Sequence, residues 1–397
     1  MNFEDTPSAA LPAGPQGRFD AATRVLDEAI AARAFPGCAF GVLAGGEVVL
    51  AGARGRFTFD ETAPAVTPQT VYDVASLTKV TATTAAAMIL HQRGLLDLET
   101  PLGELLPGFV ANRAASDPAR RVTLRHLLAH NSGLPGYVEF FRTAATAESL
   151  LEACLNLPLK AEPGVRAEYS DPGFILLGKA LERLTGETLP AWTRREIFQP
   201  LGLTATGFIE SHPSDKNKDV ARVGHPVFSG CIKKSSIEAC GLIPPTEQDT
   251  SFRHRVIQGE VQDENAWLLG GASGHAGLFC NVPDLLRFAR EILAATANDG
   301  KACLFNAATV EFFAQRQDPV GSSRALGWDT PSQPSSSGRH FSPHSIGHLG
   351  FSGCSLWMDL EAGIAVVLLT NRTWPDRQSQ LIRQVRPAFH DAVRQAL

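Results

Sequence analysis

The chain has 397 residues, with 36 basic against 41 acidic side chains and a net charge of −5. Its 44% apolar and 19% charged residues are the makings of a buried core and exclude a disordered or fibrous polypeptide. Near-balanced charge without a Lys/Arg block argues against nucleic acid or a membrane surface as partner, and no stretch approaches the roughly 18 apolar residues of a membrane span.

In chain order, residues 1–17 hold Glu4 and Asp5 and no apolar run, which predicts a flexible tail, no signal peptide and a cytoplasmic protein. Residues 18–33 place Phe19, Ala22, Val25, Leu26, Ala29 and Ile30 at helical spacing. Gly37–Leu43 and Val48–Ala53 flank Gly45-Gly46 and read as a hairpin. A helical pattern runs from Ser76 to Arg93, followed by loop and short helix over Leu95–Leu106. Further helices are expected at Leu124–Ala129, Gly173–Arg183 and Ala191–Phe198. Residues 209–265 are polar and broken by prolines, which predicts a long irregular insertion. Strands Ser352–Asp359 and Gly363–Thr370 and a helix over about 376–395 close the chain.

Strands at both ends around a helix-rich middle predict an α/β (α+β) fold, an antiparallel sheet made by the two chain ends and flanked by helices. The corresponding division is a sheet domain of residues 18–80 and 270–397 and a helix-rich inserted domain of 81–269. The seven cysteines (Cys38, Cys154, Cys231, Cys240, Cys280, Cys303, Cys354) contain no C-x-x-C and are expected to be reduced thiols.

Three short segments carry chemistry. Ser76 and Lys79, in Ser76-Leu77-Thr78-Lys79, stand three apart at a predicted helix start, so both lie on one face. A serine there can be activated by the helix end and by a desolvated amine one turn on; a capping serine and a solvated lysine fit the same spacing. Tyr169, one of three tyrosines, stands in Tyr169-Ser170-Asp171 on a turn before a helix, a place that suits either a structural or a catalytic phenol. His348-Leu349-Gly350 leads into the expected strand Phe351–Asp359, where glycine would let a substrate lie along the strand edge; His275-Ala276-Gly277 matches the same pattern.

Together these elements resemble the serine β-lactamase and penicillin-binding protein superfamily, whose signatures are S-x-x-K, Y-x-N and K-T-G or H-x-G. The likeness is closer to the class C-like branch of DD-peptidases, family VIII carboxylesterases and muropeptide amidases. VYDVASLTKVTAT, VTLRHLLAHNSGLPGY, YSDPGFILLGKALE, GHAGLF and GHLGFSGCSLW carry it, from about residue 20 to 390. The resemblance implies a β-lactamase/transpeptidase-like fold. It makes Ser76 the acylated nucleophile, Lys79 its base and electrostatic partner, Tyr169 the proton shuttle to the leaving group, and His348 the occupant of the third-motif lysine's place. The backbone N–H groups of Ser76 and Phe351 would form an oxyanion hole, and Asp171, Leu349 and Gly350 would touch substrate. Asp171 departs from the family's Asn. It either pairs with Lys79, holding it cationic and leaving Tyr169 as base, or points away; the first is favoured.

The expected activity is hydrolysis of an amide or ester through an acyl-Ser76 intermediate, as an esterase or an amidase of peptidoglycan fragments, on a small-molecule, peptide or muropeptide substrate. No metal or organic cofactor is required. The alternatives are an exported DD-carboxypeptidase or β-lactamase, and a non-catalytic relative with an assembly or sensing role.

Several other signals carry less. Gly173–Ala180 nearly spells a phosphate-binding loop, but its interior is apolar and Ala180 replaces the hydroxyl. His340, His344 and His348 recur every fourth residue across Pro343 and Gly347, which break a helix. Glu260, Asp263 and Glu264 are expected to pair with Arg253 or Arg255 in fixing a loop, and His275 to structure one. There is no G-x-S-x-G elbow.

Overall fold

The computed structural model describes residues 17–211, 243–297 and 300–397. Most of the expected tail, the 212–242 stretch of the expected insertion, and Cys231 and Cys240 lie outside the described residues. The other five cysteines are unpaired.

A five-stranded antiparallel sheet is the frame. Its strands are β1 (Gly37–Ala44), β2 (Glu47–Gly55), β8 (Ser345–Leu349), β9 (Ser355–Asp359) and β10 (Ile364–Thr370), in the order β2-β1-β10-β9-β8. Gly45 and Gly46, at φ 59° and 81°, make the two-residue turn of the first hairpin, a conformation in which only residues tolerating positive φ sit without strain. Alternation along the strands then sorts the two faces. Cys38, Phe40, Val42, Trp357, Val366 and Leu368 pack beneath the first helix, Asp20–Ala31, and the last, Ile382–Gln395. Ala39, Leu43, Leu356, Met358, Val367 and Leu369 face the opposite way, into the larger core that continues through the helical part.

On that second face the helix Val282–Ala297 lies against β1 and β10. A side chain at Gly41 would place its Cβ 2.7 Å from both Leu286 Cδ1 and Val282 Cγ1, so glycine sets how closely helix and sheet approach. Two minor β elements complete the strands: β3 (Tyr72–Asp73), β7 (Leu278–Cys280) and β4 (Gly207–Phe208) in the order β3-β7-β4, and a ribbon of β5 (Glu247–Asp249) with β6 (Arg255–Ile257). The described flanks of the expected irregular segment thus hold this ribbon and a short helix, Glu264–Leu268. No helix of the described residues is long and apolar enough to cross a membrane.

Two sequence expectations are redrawn. The single helix expected over Ser76–Arg93 is three segments: a 3₁₀ turn at Ala75–Leu77, a wide π segment at Lys79–Thr84 and an α-helix at Ala85–Gln92. Threonines account for the irregularity, because Thr78 Oγ1 donates to Ala75 O at 2.6 Å and Thr83 Oγ1 to Gly274 O at 2.7 Å, competing with a regular helix ladder. Secondly, His348 does not precede a strand but stands within one, β8. Gly350–Cys354 form a turn, with Gly353 at φ 103°, and β9 starts only at Ser355. Phe351 is therefore a turn residue, 47% exposed.

Candidate active site

The nucleophile candidate sits where chain geometry is least relaxed. Ala75 has φ 47°, outside the usual range of a non-glycine residue. Asp73 holds it there: one carboxylate oxygen accepts the Ala75 N–H at 2.8 Å and the other the Gln262 N–H at 2.7 Å. Burial raises the Asp73 carboxyl to about 6, against the pull of those two N–H groups. Across Thr70–Leu90, every residue is buried except Ser76. The turn thus lifts one hydroxyl out of an otherwise sealed segment.

Lys79 lies directly below. Its buried Nζ donates to Ser76 Oγ at 3.0 Å, Asp171 Oδ1 at 2.6 Å and the His275 carbonyl oxygen at 3.0 Å, which uses all three ammonium protons. Burial alone would lower its pKa; the Asp171 carboxylate, with Tyr169, outweighs burial and holds it above the ordinary lysine value. Asp171 opens the helix Asp171–Thr185, where a negative charge is favoured. The N-cap is Ser170, whose Oγ accepts the Gly173 N–H at 3.0 Å. The ion pair that the Asp-for-Asn departure allowed is present in the structure.

Tyr169 precedes that cap and turns its ring over the same spot. Lys79 Nζ is 4.8 Å and the Arg324 guanidinium carbon 5.2 Å from its ring centroid, and the His130 and His348 rings are centred 4.6 and 5.8 Å away. Burial raises the phenol's pKa while the Lys79 charge and hydrogen bonding to Lys79 and Ser76 oppose the rise. His348 is buried and neutral: burial, then the Lys79 and Arg324 charges, push it well below its ordinary value. Its Nδ1 lies 2.8 Å from Leu349 O, which assigns the proton to Nδ1 and leaves Nε2 as a buried acceptor without a partner among the described residues.

Gly350 has a packing job that the sequence did not announce. A Cβ there would meet Val74 O at 2.4 Å, so the missing side chain also admits the protein's own backbone and docks the third motif beside the first. Ser352 Oγ adds a bond to Asp73 O at 2.7 Å. The turn is held from behind by Arg386, which donates to the carbonyls of Gly350, Gly353 and Cys354 at 2.6, 3.2 and 2.8 Å. Arg372 Nε donates to Phe351 O at 2.7 Å, with its guanidinium carbon 4.3 Å from the Phe351 ring centroid. Leu349, the last residue of β8, pairs with Ser355.

The second H-x-G segment also reaches the site, by its backbone. His275 offers its carbonyl to Lys79, while its ring lies 2.9 Å from Asp263 Oδ1 and 2.9 Å from Ser273 Oγ. Of the acidic trio, Glu260 pairs with Arg255 as expected, whereas Asp263 pairs with His275 and Glu264 with Arg377. Asp73, His130, Arg324 and the His275 carbonyl are the site residues that sequence reasoning did not single out. His130 lay inside the quoted segment VTLRHLLAHNSGLPGY, and Asp73 inside VYDVASLTKVTAT.

The antiparallel sheet with its flanking helices, and at its edge a turn bearing Ser76 beside a buried cation, a phenol and a neutral imidazole, place the chain in the class of β-lactamase-fold serine hydrolases. A family model described as Beta-lactamase matches residues 22–387, and the chain belongs to that family. It is 29% identical over 369 residues to an N-acetylmuramyl-L-alanine amidase of Bacillus subtilis (strain 168), covering 88% of this chain and 80% of that one. It is 30% identical over 325 residues to a protein of Escherichia coli (strain K12) named as a D-alanyl-D-alanine carboxypeptidase, covering 77% and 70%. Among solved structures, EstCE1, described as a hydrolase with promiscuous acyltransferase activity, shares the fold at a TM-score of 0.68 and 24% identity over 94% of this chain and 99% of that one. A penicillin-binding protein homologue of Caulobacter crescentus does so at 0.68 and 17%, over 98% and 100%.

Proposed function

We propose that this protein cleaves an amide or ester through an acyl-Ser76 intermediate, as an esterase or as an amidase of peptidoglycan fragments. The observation that carries the reading is the threefold use of Lys79, with Ser76 Oγ, Asp171 Oδ1 and the His275 carbonyl all within 3.0 Å of one nitrogen. An ammonium that donates to Ser76 Oγ cannot take its proton. The group that can take it is Tyr169 in its phenolate form, which the Lys79 charge favours against burial and which becomes the neutral phenol as Ser76 attacks.

The sequence of events follows. Ser76 Oγ attacks the carbonyl carbon as its proton passes to the Tyr169 oxygen, and the carbonyl oxygen takes up negative charge opposite the Ser76 and Phe351 N–H groups. Collapse of the tetrahedral species breaks the bond to the leaving group, which leaves with the proton from Tyr169. Water then repeats the cycle on the ester to Ser76, again through Tyr169, and frees the acid. His348, its ring centred 5.8 Å from that of Tyr169, offers the free Nε2 to a polar group of the substrate.

The muropeptide side of the reading rests on the amidase and carboxypeptidase names of the relatives, and the ester side on EstCE1. The test is hydrolysis of a short-chain p-nitrophenyl ester, nitrocefin and a MurNAc-peptide by wild type and Ser76→Ala. Turnover of the ester or the muropeptide should fall by roughly 10³-fold or more in the variant; activity that survives it would overturn the mechanism. Mass analysis of the muropeptide product separates lactyl-amide cleavage from release of a terminal D-alanine.

A further inference from the structure

One residue stacks on Tyr169, bonds both of its chain neighbours and is not explained by the mechanism above. His130 has φ 55°, a left-handed conformation that favours Gly, Asn or Asp over histidine. It is 2% exposed. Its carbonyl accepts the Glu168 N–H at 2.8 Å, and its Nδ1 accepts the Ser170 N–H at 3.0 Å. The two N–H groups on either side of Tyr169 in the chain are thus both bonded to His130. Its ring is centred 4.6 Å from the Tyr169 ring and 4.9 Å from that of Phe174 on the next helix.

The chemistry of the ring is constrained as well. A nitrogen that accepts from an amide N–H carries no proton, so the proton is on Nε2 and the imidazole is neutral. Protonation would set two N–H groups against each other at Ser170. Burial, with the nearby Arg324, Lys79 and His348, holds the ring well below the ordinary histidine value. The rest of the segment continues the grip: Ser170 Oγ donates to Pro135 O at 2.7 Å, Asp171 N–H to Gly136 O at 2.8 Å, and Gly136 N–H to Glu168 Oε1 at 3.0 Å. Loop 130–136 is a splint for residues 168–171, and His130 is its only ring in contact with the phenol ring.

We infer that His130 is a positioning residue for Tyr169, its stacked neutral ring fixing where the phenol oxygen stands relative to Ser76. This rests on the acyl-Ser76 reading, since a tyrosine that moved no proton would need no such alignment. Proton transfer demands heavy atoms about 3 Å apart, and a misplacement of about 1 Å can cost up to roughly 10²-fold in rate. A residue that merely filled space would move stability and leave that rate alone.

His130→Asn separates the parts. Asparagine tolerates positive φ, and its side-chain oxygen falls near the place of Nδ1, so it keeps the Ser170 bond and loses only the stacking ring. The experiment measures the rate of Ser76 labelling by a fluorophosphonate, and kcat and KM for a p-nitrophenyl ester, in wild type, His130→Asn, Tyr169→Phe and the double variant. The expected result is a 10- to 100-fold loss in labelling rate and kcat with KM within about twofold, and no further loss when His130→Asn is added to Tyr169→Phe. Labelling of His130→Asn at the wild-type rate, or an undiminished loss on the Tyr169→Phe background, overturns the inference. Failure of the wild type to label at Ser76 defeats the acyl-enzyme reading itself, a different outcome. Should His130→Asn not fold, Phe174→Leu frees the other side of the ring and carries the same test, with a smaller loss that again vanishes without the phenol oxygen.

Discussion

Asp171 is the residue whose identity decides which group can act as base. With the carboxylate present, Lys79 stays an ammonium through neutral and mildly alkaline pH, and activity falls only as that ammonium is lost at high pH. Asp171→Asn leaves burial opposed by Tyr169 alone, so the alkaline limb of kcat/KM for a p-nitrophenyl ester should move to lower pH; an unmoved limb would remove Asp171 from the electrostatics of the step. Asp73 gives a signed stability prediction. Its carboxyl, at about 6 in the fold against 3.8 unfolded, binds its proton more tightly when folded, so its contribution falls as pH rises through 4 to 6. The ionised form at neutral pH costs roughly 3 kcal/mol of stability. The unfolding free energy of wild type minus that of Asp73→Asn should therefore shift by about that amount in favour of wild type between pH 7 and pH 4; a flat difference would mean that the carboxylate is not under the strain of burial. That cost holds Ala75 in its left-handed conformation and Ser76 in the opening.

Elements show which parts of this architecture were legible in the sequence. The first hairpin was readable from Gly45-Gly46, and the helix Asp171–Thr185 from its apolar spacing and the Ser-Asp-Pro start, because those signals are local. Spacing alone put Ser76 and Lys79 on one face, and the motifs quoted for the family placed Tyr169 and His348 with them. β8 was missed: SIGHL is short and has glycine at its centre, and Gly347 is there because the Trp357 indole lies against it, with a Cβ reaching Cδ2 at 2.3 Å. The split of the Ser76 helix was missed because Thr83 reaches Gly274, which is 191 residues away. His130 and Arg324 act through contacts made only in the folded chain. The segment that nearly spells a phosphate loop has a packing explanation. A Cβ on Gly178 would lie 2.9 Å from Gly274 Cα and 3.0 Å from its nitrogen, so Gly178 is where the helix lets the 274–275 backbone pass close enough for the His275 carbonyl to reach Lys79. Gly178→Ala should cost about 1–3 kcal/mol of stability and slow Ser76 labelling as well. Lost stability with normal labelling would uncouple the helix from the site.

At the scale of the molecule, the sheet takes its strands from residues 37–55 and 345–370, and the site lies where those two stretches and the helical middle converge. The last helix contributes Arg386, buried beneath the turn that bears Phe351, with burial lowering its pKa to about 10. Arg386→Met would preserve side-chain length, take the donor from Gly353 O and leave Gly350 O and Cys354 O with only their backbone N–H partners. It should cost about 3 kcal/mol or more in stability and at least roughly 10-fold in kcat if the Phe351 N–H receives the oxyanion. Arg339→Ala, which breaks an exposed pair with Asp391, should change neither by more than about 1 kcal/mol. Equal effects in the two variants would mean that the turn does not depend on its guanidinium.

That dependence also imposes an order on biosynthesis. Ser76, Lys79 and Tyr169 leave the ribosome long before residue 386, and until then the turn behind Phe351 has only its own backbone bonds to shape it. If the Phe351 N–H receives the oxyanion, a nascent chain stopped short of Arg386 would carry Ser76, Lys79 and Tyr169 without the guanidinium that braces the turn meant to hold that charge, so hydrolytic competence would arrive late in synthesis.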